Sequence, residues 1–138
     1  MYTIGTCLTL LYIIAFTSGI INGQSDTDHS IQLESNGVVR TVLLYNRPGD
    51  DYQSHKGDLW NMQFSSFHFS DSCIRISEIQ RVSLVESSND GWNIQTIITL
   101  VSAGSNRLQV LTQDFNVNRW IDGDRDLSYR RFDLSFAG

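Results

Sequence analysis

The stretch that decides the fold is residues 89–124. It opens Asn89-Asp90-Gly91-Trp92-Asn93-Ile94-Gln95-Thr96-Ile97-Ile98-Thr99-Leu100-Val101. After a polar turn it continues Val110-Leu111-Thr112-Gln113-Asp114-Phe115-Asn116-Val117-Asn118-Arg119-Trp120-Ile121-Asp122-Gly123-Asp124. A turn-forming Asn-Asp-Gly leads into Trp92 and a run of β-branched residues, which suit the pleated, half-buried surface of a strand. Ser102-Ala103-Gly104-Ser105-Asn106 reads as a hairpin loop, and Leu108, Val110 and Leu111 form the return strand. Trp92 and Trp120 bracket one hairpin.

The same grammar extends outward. Ile31-Gln32-Leu33 alternates briefly, as a short edge strand does, and Asn36-Gly37 is a hairpin turn signal. The run from Val38 to Tyr45 is apolar on both faces and predicts an internal strand. Trp60, Met62 and Phe64 alternate on one face; the phase slips at Ser65-Ser66 before Phe67-His68-Phe69, predicting a bulge or corner. Cys73 to Ile76 reads as an apolar strand, Ser77-Glu78 as a bend, Ile79 to Leu84 as a further strand, and Tyr129 to Phe136 as the last. No stretch beyond residue 23 sustains a 3.6-residue period. The expectation is an all-β, antiparallel β-sandwich of about eight strands.

The chain has 138 residues and a formal charge of -5. The first 23 residues carry no charged side chain, and an apolar run from Leu8 to Phe16 is followed by Thr17, Ser18, Gly19 and Gly23. That layout predicts a signal peptide over residues 1–23, a secreted protein, and one domain over 24–138. The competing reading is an uncleaved membrane anchor, since a span needs about 20 apolar residues. Removal of the leader takes Cys7 with it and leaves Cys73 alone, as a buried thiol or as a bridge to a second chain. The acidity excludes a basic stripe for nucleic acid, and net attraction to anionic lipid is not expected either.

With these residues in view, the chain resembles the second half of a PLAT/LH2 domain. The resemblance covers residues 39–122 and rests on Ile79-Gln80-Arg81-Val82-Ser83-Leu84, Gly91-Trp92, the strand to Val101, and Asn118-Arg119-Trp120-Ile121-Asp122. Val42-Leu43-Leu44-Tyr45 and Gly57-Asp58-Leu59-Trp60 follow the family's earlier strands more loosely. The early Thr-Gly and Gly-Thr-Asp segment, which holds calcium ligands in some members, is not read here. The resemblance implies an eight-stranded sandwich that docks on lipid or protein and is often attached to lipases or lipoxygenases.

Chemistry is sparse. Asp122, Asp124 and Asp126, with Ser128 and Asp133, fall at positions of an EF-hand-like loop whose alternate oxygens converge on calcium. Against this, Leu127 stands where glycine is wanted and the flanks read as strands, so a solvated turn paired with Arg125, Arg130 and Arg131 competes. His29, His55 and His68 are too scattered for a metal site. No Gly-x-Ser-x-Gly elbow or glycine-rich phosphate loop occurs, nothing local makes Cys73 a nucleophile, and an enzyme is not expected. Trp92 and Trp120 read as core pegs that lock two sheets, with exposed anchors as the alternative. Arg119 is expected to pair with an acid or stack on an indole.

If docking is the function, loops carry it. The candidates are Asp50, Asp51, Tyr52 and His55 in one loop, Asp90 in another, and residues 103–106. The leading expectation is a secreted, non-enzymatic module that docks to a lipid or membrane surface, or to a protein partner, with calcium as its one candidate cofactor. The alternatives are a toxin-like or interaction protein with the sandwich as scaffold, and a carbohydrate-binding sandwich.

Overall fold

A computed structural model describes residues 6–19, 29–44, 56–86, 91–103, 107–121 and 130–137. Two antiparallel sheets face each other. The first has the order β4-β1-β6-β7, with β8 also paired to β6; the second runs β3-β2-β5-β9. In chain order the strands are β1 (Leu10–Thr17), β2 (His29–Ser35), β3 (Val38–Leu44), β4 (Gly57–Gln63), β5 (Ile79–Val85), β6 (Trp92–Ser102), β7 (Gln109–Asp114), β8 (Arg119–Ile121) and β9 (Arg131–Asp133). The expected sandwich is therefore present, with nine strands among the described residues where about eight were expected.

The largest departure concerns the apolar run read as the core of a leader. It is β1, hydrogen-bonded to β4 on one side and to β6 on the other. Leu11, Ile13 and Ala15 are completely buried on its inner face. Tyr12, Ile14 and Phe16 alternate on the outer face, which is why the run is apolar throughout: a strand at the middle of a sheet needs no charged residue on either side. Cys7, just before β1, is disulfide-bonded to Cys73. The reading of Cys73 as a lone thiol or an interchain bridge is thereby corrected, since its partner lies within the stretch set aside as leader.

Two strand positions are exchanged relative to expectation. β2, read as a short edge strand, lies between β3 and β5 and buries Ile31 and Leu33. β3, read as internal, is an edge strand with Val39 and Leu43 exposed. The Asn36-Gly37 hairpin between them is as expected. Both residues take positive φ, 51° and 77°, the left-handed pair that a type I′ turn requires.

The phase slip after β4 is resolved by a 3-10 turn, Phe64–Phe67, that buries both of its phenylalanines and ends at His68 in the left-handed region. The segment read as a strand from Cys73 is instead a bridge at Arg75 followed by the 3-10 turn Ile76–Glu78. In β6 the inward side chains run Trp92, Ile94, then Ile97, Thr99 and Val101. The skipped step coincides with a register shift at Phe16/Thr17, a bulge that keeps both ends of an 11-residue strand facing the core. The core between the sheets is Leu11, Ile13, Ile31, Leu33, Leu84, Trp92, Ile94 and Ile97, all fully buried.

Candidate functional site

Strand direction sorts the connections between the two ends of the sandwich. β1 ends beside Gly57 at the start of β4, and Thr17 pairs with Ile94 near the start of β6. His29 opens β2 opposite Leu44, the last residue of β3. Val85, ending β5, pairs with Ser30 and with Arg131, and Trp92 pairs with Ile121. The chain therefore leaves and re-enters the sandwich at one end on either side of residues 20–28, 45–55, 87–90 and 122–129. The opposite end carries the Asn36-Gly37 turn and the two 3-10 turns.

The base of that first end is polar, buried and cross-linked. His29 Nδ1 contacts Glu86 Oε2, and both side chains are almost completely buried. The imidazole lies 4.8 Å from the Trp92 ring, which meets Trp60 edge-on at 6.3 Å. The Trp92 indole N–H donates to Thr17 Oγ1 at 2.8 Å, and Ser18 Oγ donates to Asn93 Oδ1 at 2.7 Å. Main-chain bonds add Thr17 N to Lys56 O and Glu86 N to Arg130 O. Six strands are thus fixed to one another directly beneath the connections. A rigid base under variable loops is the arrangement in which binding residues are held in place.

Trp92 is the peg expected of it. Trp120, read as a second peg, is only half-buried. Arg119 stacks over Phe132, 5.2 Å from its centroid. His68 is exposed.

Asp50, Asp51, Tyr52, His55, Asp90, Asp122, Asp124 and Asp126 all lie outside the described residues. The flanks of their three segments nevertheless meet at the same end. Asp133, the twelfth position of the EF-hand-like spacing, is described and is otherwise engaged. It sits on β9, accepting from Ser83 Oγ at 2.6 Å and from Arg131 Nε at 3.1 Å. That spacing therefore loses its closing ligand, whatever the earlier carboxylates do. Among the described residues no group of three His, Cys, Asp or Glu side chains gathers as a metal site. What the sequence did not point to is the buried His29–Glu86 pair, because neither residue belongs to a motif.

The opposite end carries a perturbed carboxyl. Glu78 is held below its ordinary value, first by the hydrogen bond from the Asn36 side chain and then by bonds from Arg75. Asn36 Nδ2 donates to it at 3.1 Å and Arg75 at 3.0 Å. This ties the β2–β3 hairpin to the turn before β5, a structural role.

No family model matches the sequence. No curated protein matches it either. Solved structures do match. The alpha-toxin of an avian strain of Clostridium perfringens superposes with a TM-score of 0.75 at 15% identity, over 96% of this chain and 33% of the toxin. The alpha-toxin of Clostridium absonum gives 0.73 at 16% identity, over 97% and 33%. Coral 8R-lipoxygenase, described as calcium-activated through a C2-like domain, gives 0.59 at 13% identity, over 93% and 17%. The chain thus spans about a third of the toxins' length and 17% of the lipoxygenase. The fold of this chain is the PLAT/C2-like β-sandwich found as one domain of those larger proteins.

Proposed function

We propose that this chain is a non-enzymatic module that docks on a lipid surface through the connections at the His29–Glu86 end, with calcium bridging the two. One observation carries the reading: four connections leave a rigid, cross-linked base at a single end of a sandwich. Of the chain's 15 acidic residues, Asp26, Asp28, Asp50, Asp51, Asp90, Asp122, Asp124 and Asp126 fall on those connections. Carboxylates facing an anionic lipid surface repel it unless a hard cation lies between, and oxygen-rich loops are the ligands calcium takes. The likeness to a lipoxygenase described as calcium-activated through such a domain supports the same assignment. The disulfide between Cys7 and Cys73 supports a secreted, oxidising setting.

Co-sedimentation of the full chain with phosphatidylserine-containing vesicles, with and without millimolar calcium, tests this. Calcium-dependent pelleting is expected, weakened in an Asp122→Asn/Asp124→Asn variant. A chain that stays in the supernatant under both conditions would sink the lipid reading.

A second reading, docking to a protein, has its own support. The outer face of the β1 sheet presents Tyr12, Ile14, Phe16, Leu59, Ile98 and Leu100 with no charged side chain, and Phe16 and Leu59 are 43% and 46% exposed. The outer face of the other sheet is instead laced by Arg81–Glu34 and Arg131–Asp133 pairs. A partly exposed apolar face without charge marks a contact surface.

A further inference from the structure

The two sides of the sandwich are closed differently. On one, the segment after β9 crosses between the sheets: Leu134 N donates to Val82 O of β5, while Gln113 N donates to Ser135 O and Ala137 N to Leu111 O of β7. On the other, β3 and β4 are the free edges of opposite sheets. Among the described residues no main-chain bond joins them. A cleft of about 810 Å³ opens between them, bounded at one end by the 3-10 turn Phe64–Phe67. Its apolar lining comes from Val42 and Leu43 on β3 and from Trp60 and Met62 on β4. Asn61 and His68 supply polar groups at its margin, and among the described residues no Lys, Arg, Asp or Glu lines it. Trp60, only 5% exposed, carries the cleft down to the core.

Arg40 stands beside this slot. Its Nε donates to His68 O at 3.5 Å and an Nη to Val39 O at 3.4 Å. Both acceptors are neutral, and no described carboxylate pairs with it. An unpaired guanidinium next to an uncharged apolar cleft, on a chain of net charge -5, favours an anion that ends a hydrocarbon. The volume lies in the range of small-ligand sites, about 300–1,000 Å³. A docked strand fits less well, because the Arg40 side chain already bonds Val39 O on the β3 edge, an acceptor such a strand would need.

We infer that this cleft binds a single free fatty acid, its hydrocarbon chain between Val42, Trp60 and Met62 and its carboxylate at Arg40. The site is separate from the loop end and does not depend on the docking reading above. Calorimetric titration of the full chain with oleate, below the concentration at which it aggregates, tests it. Saturation at one oleate per chain is expected. Arg40→Gln should weaken binding at least tenfold, and Leu43→Glu, at a lip residue 47% exposed, should do the same without unfolding the protein. Oleyl alcohol should bind more weakly than oleate. Absence of saturable binding, or unchanged affinity in Leu43→Glu with its melting temperature intact, would overturn the site. Equal affinity for alcohol and acid would overturn the role of Arg40.

Discussion

Cys7 and Cys73 are joined by a disulfide with their Cα atoms 5.0 Å apart, across a sequence separation of 66. The bond fixes the residue just before the central strand β1 to the segment that leads into β5, so it links the two sheets at the end away from the loops. Leu8 N donating to Ile74 O, one residue inward on each side, continues the same junction. Closing a loop of that length removes about 4 kcal/mol of chain entropy from the unfolded state, on a chain-entropy estimate. The Cys7→Ser/Cys73→Ser variant should therefore denature at clearly lower urea, by roughly 2–4 kcal/mol, with the same fold. An unchanged urea midpoint would show that β1 pairing alone secures this corner.

Removal of residues 1–23 should abolish folding. It would delete β1, leaving β4 without a neighbour in its sheet and β6 with an unpaired edge, and would strip Leu11, Ile13 and Ala15 from the core. At about 2–5 kcal/mol for each large buried aliphatic lost, and with the disulfide at Cys7 lost as well, the deficit is comparable to the usual 5–15 kcal/mol stability of a domain. Circular dichroism of the truncated chain should show no cooperative thermal transition. A sharp transition in that protein would mean that the sandwich closes without β1.

These two outcomes bear on what the sequence makes legible. Period-2 alternation found β4, where one face is turned to the core and the other is wet, and a turn signal followed by a β-branched run found β6. Alternation failed at β1, where both faces are apolar and eight residues of strand cannot be told by periodicity from a leader's core. That one choice propagated. Setting residues 1–23 aside removed the partner of Cys73 and the Thr17 acceptor of the Trp92 indole. Edge and centre were exchanged for β2 and β3 because exposed Val39 and Leu43 mimic burial. Of the two, Leu43 lines the open cleft. The His29–Glu86 pair was invisible for a different reason: 57 positions separate its members, and only the pairing of β2 with β5 brings them together.

At the other end, the lowered Glu78 carboxyl predicts a pH dependence. A carboxyl whose folded value lies below its ordinary 4.5 stabilises the fold above that pH and loses the contribution as pH falls through the folded value. The effect is small, because the group faces solvent. Glu78→Gln should therefore lower the melting temperature slightly near neutrality, and the difference from wild type should shrink as the solution is acidified below about pH 4. A gap that stays constant down to strongly acidic pH would assign the loss to packing and not to charge.

The His29–Glu86 pair makes the sharpest demand, because two ionisable groups sit where water does not reach. Ion pairs in such places gain little over apolar residues of the same size, yet breaking one by removing a single partner leaves an uncompensated polar group and costs about 3–5 kcal/mol. Glu86→Ala should therefore be strongly destabilising. His29→Phe/Glu86→Met keeps the volume and preserves the ring against Trp92, so it should recover most of the loss. Urea denaturation of His29→Phe, Glu86→Met and the double variant gives the coupling directly. If the double variant is as unstable as the sum of the singles, the pair is not an electrostatic unit, and the base beneath the loops is held by Trp92, Thr17 and Asn93 alone. If it recovers, vesicle binding by the double variant becomes informative. Retained binding on a restored fold places the docking groups in the connections themselves, and lost binding assigns the buried pair a part in holding them ready.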